Sequence, residues 1–345
     1  MKHFKYISLP VCNISELDKN QQLVAASYPF RVSRYYAGLS RSAGDPVWKQ
    51  FMPDIRELCD FEQTPDPLAE QQLSPVPNLI HRYPDRVVLL VSNQCPVYCR
   101  FCMRKRHVGR DDIPAFDSAI LERISDYLVS HPEIRDVILS GGDPLMLDDE
   151  SLSHILGTLR KIPHVRIIRI GSRVPVTLPQ RITPELCKML KRFHPVYLNT
   201  HFNHPLEITP DSARACSLLA DAGVVLGNQS VLLRGVNDTA ESMKELMTGL
   251  LDVRVRPYYI HHMDLIRGTA HFRTSVETGL DIIRSLRGHV SGLAVPHYVI
   301  DLPGGKGKVA LQPDIVEKKG DMFFLTTYQG ERVAFCDLPP TTLQE

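Results

Sequence analysis

The chain has no apolar run of about 20 residues, and its first twenty residues hold no apolar stretch of signal-peptide length. Neither a membrane span nor a secretory leader is expected, and the chain reads as cytoplasmic. It also lacks an excess of either charge: 40 Lys and Arg face 39 Asp and Glu, a formal net charge of +1. A protein that coats nucleic acid needs a basic surplus to displace counterions from phosphates, so no nucleic-acid partner is expected. A disulfide framework is missing too. Of the eight cysteines, Cys12, Cys59, Cys187, Cys216 and Cys336 stand singly, while Cys95, Cys99 and Cys102 fall within eight residues. Disulfides are rare in a large cytoplasmic chain, so the singles read as core or surface thiols and the trio as metal or redox chemistry. With 43% hydrophobic and 23% charged residues over 345 positions, the chain can bury a sizeable core. That length suits two domains, or one large α/β barrel with an appendage.

Residues 1–80 mix aromatics and prolines, with short helices expected at 14–27 and 46–58 and a Pro-rich linker at 61–77. From residue 85 the pattern changes. The run RVVLLVS (86–92) reads as a strand buried on both faces. Further strands are expected at 136–140, 165–171, 196–202, 224–233, 255–262 and 296–302. Amphipathic helices are expected between them at 117–130, 149–161, 184–192, 210–222, 239–252 and 275–286. Strand–helix–strand units at this spacing imply right-handed crossovers and a parallel sheet. The fold class is α/β: a full or partial (β/α) TIM-type barrel at 81–310, after an N-terminal, mostly helical extension and linker at 1–80. A C-terminal β-hairpin tail at 311–345 turns at Gln329-Gly330. In such barrels the chemistry collects at the C-terminal ends of the strands.

The cysteine trio directly follows the first barrel strand, spaced C-x3-C-x2-C. Structural zinc commonly takes four ligands from two separated C-x2-C pairs, and no second pair is present. A 4Fe-4S cluster normally takes four thiolates, so three would leave one iron open to a ligand. The next strand ends in Ser140-Gly141-Gly142-Asp143-Pro144, where glycines permit close backbone approach, to a ligand or simply within a βα turn. The last barrel strand ends in VIDLPGGKGKVAL (299–311), which lacks the spacing of a phosphate-binding Walker loop. A lysine set there by glycines suits covalent attachment of pyridoxal phosphate (PLP).

The cysteine motif, with aromatic Phe101 before its third cysteine, resembles that of the radical S-adenosylmethionine (SAM) enzymes. The glycine loop resembles the PLP loop of lysine 2,3-aminomutases, and the resemblance extends over roughly residues 60–312. It runs through HRYPDRVVLLVSNQCPVYCRFCMRKR, SRVPVTLPQRIT, LNTHFNHP, GNQSVLLRGVND, RPYYIHHMDL and HFRT. It implies a radical SAM barrel and an isomerase that moves the amino group of L-lysine from C2 to C3. It also implies three cofactors: a 4Fe-4S cluster on Cys95, Cys99 and Cys102, SAM, and PLP on Lys308. By matching position, Ser140, Gly141, Gly142, Asp143 and His201 contact SAM, and Arg82, Arg86 and Gln229 hold the PLP phosphate. Arg104 pairs with the substrate α-carboxylate, and Asp264 and Asp301 receive its distant ammonium. Two carboxylates facing one site repel unless a cation lies between them, which favours lysine over an acidic substrate. Changes at these aspartates are expected to spare SAM and PLP. A small electron donor such as flavodoxin or ferredoxin, and a homo-oligomer, are also implied.

The chain departs from the longer family members. Thr239 stands where they carry a zinc cysteine, and the tail keeps only Cys336, so no structural zinc is expected. Lys306 lies two residues before Lys308 as a rival for PLP. Alternatives are the same chemistry on ornithine or arginine, β-lysine supply for an elongation factor, a PLP-independent radical SAM enzyme, and a zinc-binding interaction module. The aspartate-bearing DLPGG stretch favours a free amino acid over the elongation-factor role.

Overall fold

The computed structural model describes residues 4–8, 11–12, 17–110, 116–313, 315–320 and 322–336. Seven parallel strands follow one another in chain order: β2 (Arg86–Ser92), β3 (Asp136–Gly141), β4 (Ile167–Gly171), β5 (Val196–Thr200), β6 (Val225–Val231), β7 (Arg256–His261) and β8 (His297–Asp301). Each lies within the stretch expected to be a strand, apart from one extra residue at the end of β3. An antiparallel strand flanks the series on each side, β1 (Leu79–Tyr83) against β2 and β9 (Lys308–Leu311) against β8. Neither was expected.

The sheet is therefore a partial barrel, with no ladder between its first and last strands among the described residues. Side chains bridge that gap. Arg82 on β1 donates to Asp301 on β8 at 3.2 Å, and the backbone N–H of Lys308 on β9 donates to the Tyr83 hydroxyl at 2.9 Å.

The helices are α1 (Lys19–Ser27), α2 (Arg34–Ala37), α3 (Trp48–Phe51), α4 (Ser118–Val129), α5 (Asp149–Arg160), α6 (Val174–Thr177), α7 (Pro184–Leu190), α8 (Pro210–Asp221), α9 (Ala240–Asp252) and α10 (Val276–Leu286). Several starts fall one residue later than the sequence pattern because Asp117, Thr239 and Ser275 are N-caps whose side chains accept from the first turn. Thr239 thus caps α9. The helix expected over 46–58 is broken at Pro53, leaving α3 and a single turn at Ile55–Leu58 capped by Asp54. Part of the helix expected at 14–27 lies outside the described residues; the rest is α1.

Strand alternation fixes which side chains meet the helices. Leu89, Leu139, Ile170 and Leu198 are successive cross-strand neighbours and are fully buried against the outer helices. The intervening Ser140, Arg169, Asn199, Gln229, Tyr259 and His261 are half-buried. Strand β2 follows the same rule: Val87, Leu89 and Val91 are buried, while Arg86, Val88 and Leu90 are not fully so. Its run of apolar residues was expected to be buried on both faces. Its inner face instead borders an open, polar lumen, unlike the packed interior of an ordinary TIM barrel.

Phe4, Val32, Tyr36, Val47 and Phe51 from the N-terminal segment join the same hydrophobic core as the barrel. The C-terminal hairpin is present as β11 (Met322–Thr326) and β12 (Arg332–Cys336), with β10 (Val316–Lys319) added on its edge. No helix among the described residues is long and apolar enough to cross a membrane.

Candidate active site

The loop after β2 carries the three cysteines and is tied to the N-terminal segment. Tyr98 N–H donates to Arg31 O at 2.9 Å, and Arg100 N–H donates to Gln50 O at 2.9 Å. The Arg100 guanidinium, 1% exposed, makes two hydrogen bonds to Glu57, at 2.9 and 2.6 Å. Lys105 Nζ reaches the same carboxylate at 2.6 Å. Burial would push the Glu57 carboxyl up, but Arg100 and Lys105 hold it below its ordinary value. Breaking such a buried network by removing one partner costs about 3–5 kcal/mol, so the loop is rigidly held.

The thiols are half-buried and share one neighbourhood. Burial, Asp143 and the other two cysteines push the Cys95 thiol well up; burial and Cys99 push Cys102 to about 11. At Cys102 the Arg104 backbone N–H, which donates to Sγ at 3.3 Å, and the Arg104 and Lys105 charges oppose this. Arg173 Nη1 donates to Cys99 Sγ at 2.8 Å. Three thiols that lie together on one loop suit a metal group, which takes them as thiolates.

Glycines 141 and 142 are required by the turn itself. A Cβ on Gly141, whose φ is +114°, would lie 2.3 Å from Ser92 O, and one on Gly142 would lie 2.6 Å from Gln94 O. The pair thus lets the end of β3 lie against the start of the cysteine loop. Asp143 is 3% exposed and accepts from Leu145 N–H, Ser172 Oγ and Arg173 N–H at 3.0, 2.8 and 2.8 Å. Burial raises its carboxyl to about 6 despite these donors. Here Asp143 fixes the turn and positions Arg173. The Arg173 guanidinium also contacts Tyr36, Gln50 and Glu207. His201, with Nε2 3.0 Å from Asn203 Oδ1 and its ring 5.5 Å from Phe101, is held neutral by burial and by the nearby Arg173 and His261.

Across the lumen, Asp301 and Lys308 are cross-strand partners on β8 and β9, so their side chains share a face. Lys308 Nζ contacts Asp301 Oδ2 and lies 3.3 Å from His261 Nδ1 and 5.3 Å from the centre of the Tyr259 ring. Tyr259 is the cross-strand neighbour of Gln229, and Arg86 lies 3.8 Å over the Tyr83 ring. The structure thus brings Arg82, Arg86, Gln229 and Lys308 to one region, although Arg82 is paired with Asp301 and Arg86 with Asp85 at 2.9 Å. Two guanidiniums and an amide suit a dianionic phosphate, and half-buried Lys308 suits covalent attachment. Lys306 is exposed. The donor set fits PLP.

The expectation that both aspartates serve only the substrate is corrected for Asp301, which already contacts Arg82, His261 and Lys308. Burial would raise its carboxyl, but His261 and Lys308 hold it well below the ordinary range. Asp264 differs. Its carboxylate has no hydrogen-bond or ion-pair partner among the described residues, and burial together with the Asp301 charge raises it to about 7.

Arg104 is not free either. It grips Glu70, with Nη2 2.7 Å from Oε1, and its Nη1 donates to Ser140 Oγ at 3.1 Å. Arg106 pairs with Glu70 and Asp66, both at 3.0 Å. The basic run after the cysteines is therefore neutralised from the 57–70 segment rather than solvated. Glu70 and His261 escaped the sequence reading. Glu70 lies in a stretch that looked like a linker. His261 alternates with Tyr259 on the inner face of β7, a pattern that could have marked it.

The full sequence agrees with this geometry. Residues 283–336 match the family described as lysine-2,3-aminomutase, and residues 89–247 match the radical SAM superfamily. The chain is 52% identical over 336 residues to the L-lysine 2,3-aminomutase of Clostridium subterminale, covering 94% of this chain and 78% of that one. The chain belongs to the lysine 2,3-aminomutase family of radical SAM enzymes. With the L-lysine 2,3-aminomutase of Bacillus subtilis it shares 46% identity over 328 residues, 93% of this chain and 69% of that one. With the glutamate 2,3-aminomutase of Clostridioides difficile it shares 44% over 325 residues, 93% and 77%. Membership makes it an isomerase and brings the cofactor set of a 4Fe-4S cluster, SAM and PLP. Both lysine- and glutamate-acting relatives are similar to it, so the substrate has to be argued from the site.

Proposed function

We propose that the chain is a lysine 2,3-aminomutase that converts free L-lysine to β-lysine. The observation that carries the lysine assignment is Asp264, a half-buried residue whose carboxylate has no partner among the described residues, close enough to Asp301 to feel its negative charge. An ammonium placed between them relieves their repulsion. A glutamate side chain would add a third negative charge there, so lysine is favoured over the substrate of the C. difficile relative.

In this reading Cys95, Cys99 and Cys102 hold the cluster, with Arg173 beside Cys99. Ser140, Gly141, Gly142 and His201 border SAM, and Asp143 supports that turn from behind. Arg82, Arg86 and Gln229 orient the PLP phosphate, and Lys308 is its covalent anchor. Arg104, steadied by Glu70, receives the substrate α-carboxylate, and Asp264 with Asp301 receives the distal ammonium. When bound, the cluster and SAM supply a carbon-centred radical and PLP supplies the conjugated carbonyl chemistry through which nitrogen migrates. The chain's own residues bind both ends of the substrate and hold its reacting carbons within the lumen.

The PLP assignment has a direct check. Borohydride reduction in the presence of PLP, followed by peptide mapping, is expected to leave the pyridoxyl group on Lys308. A label on exposed Lys306 would contradict the site, and no label at all would favour a PLP-independent enzyme.

A further inference from the structure

The contacts of Lys308 include one group that the binding roles above leave unused. Nδ1 of His261 lies 3.3 Å from Lys308 Nζ and 3.4 Å from Asp301 Oδ2. The His261 ring packs edge-on to Tyr259 at 5.4 Å. We propose that His261 is a catalytic residue, the proton acceptor that frees the Lys308 amine to bond to PLP and returns the proton when a substrate amine displaces it. The inference rests on Lys308 being the PLP lysine.

An ammonium has no lone pair and cannot attack a carbonyl until it loses a proton. It is also donor-only, so with the ring hydrogen on Nε2 the Nδ1 lone pair faces it, ready to accept a proton. Two acceptors touch Nζ. Asp301 is too weak a base, because its carboxyl is held far below the ordinary range. An imidazole is a much stronger base even when burial lowers it below its ordinary value of about 6.5. The proton therefore goes to His261, where the resulting imidazolium faces the Asp301 carboxylate.

The other charged or titratable groups around His261 are consistent with this. Arg82 reaches it only through Asp301, and burial pushes the Tyr259 hydroxyl well up, so it stays a neutral phenol and does not compete as a proton acceptor. His201, beyond the end of β5, is held neutral. Asp264 lies three residues further along the chain, beside Asp301.

The step balances. Of the three hydrogens on the Lys308 ammonium, one passes to His261 Nδ1. The freed lone pair forms the bond to the aldehyde carbon, and the other two hydrogens leave with the aldehyde oxygen as water, completing the C=N bond. In the reverse direction, an incoming substrate amine takes over that carbon, its two hydrogens pass to the departing Lys308 nitrogen, and His261 returns the third, restoring the ammonium.

The test is the rate at which full-length, PLP-free protein becomes trappable on Lys308 by borohydride, followed against pH. In wild type the rate is expected to rise with pH and level off once His261 is neutral, below about pH 6.5. His261→Gln is expected to load PLP about 10²-fold more slowly at pH 7, the low end of a general base's contribution. Its rate should keep climbing into alkaline pH, and added free imidazole should restore part of it. Equal rates and profiles in wild type and variant would overturn the role of His261 while leaving Lys308 as the anchor. A wild-type label on Lys306, or none, would overturn both. Should the variant misfold, a wild-type profile that never levels off would by itself contradict the proposal.

Discussion

Cys99→Ala is expected to fold normally and to lose the iron–sulfur cluster. After anaerobic reconstitution the wild type should hold about four irons and four sulfides per chain, and the variant should hold little of either. Cys95→Ala and Cys102→Ala should behave alike. The three thiols follow one strand on one clamped loop, and the thiols of Cys187 and Cys216 are buried on the outer helices α7 and α8. Among the described residues no replacement thiol is placed beside them, and SAM cleavage should vanish with the iron. The fold should survive, because the loop is held by Glu57, Arg100 and Lys105 rather than by the thiols. Exposed Cys59 provides the control: Cys59→Ser should keep its iron and its activity. Full iron content in Cys99→Ala would sink the cluster assignment.

Asp264→Asn should be nearly as damaging, but only for a substrate with a distant positive charge. Removing one partner of a buried, hydrogen-bonded charge pair costs about 2–5 kcal/mol, roughly a thirtyfold to several-thousandfold loss in kcat/KM. An uncharged analogue such as norleucine never uses that contact and should lose far less. Asp264 is a cleaner test than Asp301, whose carboxylate also contacts Lys308, Arg82 and His261.

The pH dependence follows from the same carboxyl. Asp264 must be ionised to hold an ammonium, and it ionises near 7 in the free protein. With wild type, kcat/KM for lysine should fall as pH drops below about 7, and the Asn variant should lack that limb. Stability should move the other way. A carboxyl raised above its unfolded value binds more protons in the folded state, so ionising it at higher pH destabilises the fold. Asp264→Asn should therefore melt at a higher temperature than wild type at pH 8. Equal losses for lysine and norleucine, with a lower melting temperature, would make Asp264 a structural residue.

Much of this architecture was readable from local pattern. The run at 86–92 is β2 to the residue, and the remaining strands and helices shift mainly where caps or prolines reset an end. The cysteine spacing and the glycine–lysine loop led to the family because each is contiguous in the chain. What escaped was pairing between distant segments. Nothing in the Pro-rich stretch announced that Glu70 would neutralise Arg104, 34 residues on. Edge strands β1 and β9 were missed because each is four or five residues long and is defined by its neighbour rather than by its own composition. Asp301 was expected to serve the substrate alone; only the register of β8 against β9 places it beside Lys308.

The most direct measurement follows the nitrogen itself. Protein reconstituted anaerobically with iron, sulfide, PLP and SAM, then reduced, is given lysine labelled with nitrogen-15 at C2, alongside ornithine, arginine and glutamate. The account predicts that the label moves to C3 of lysine, giving β-lysine, with glutamate converted poorly or not at all. A label that stays on C2, or glutamate converted in preference to lysine, would contradict it.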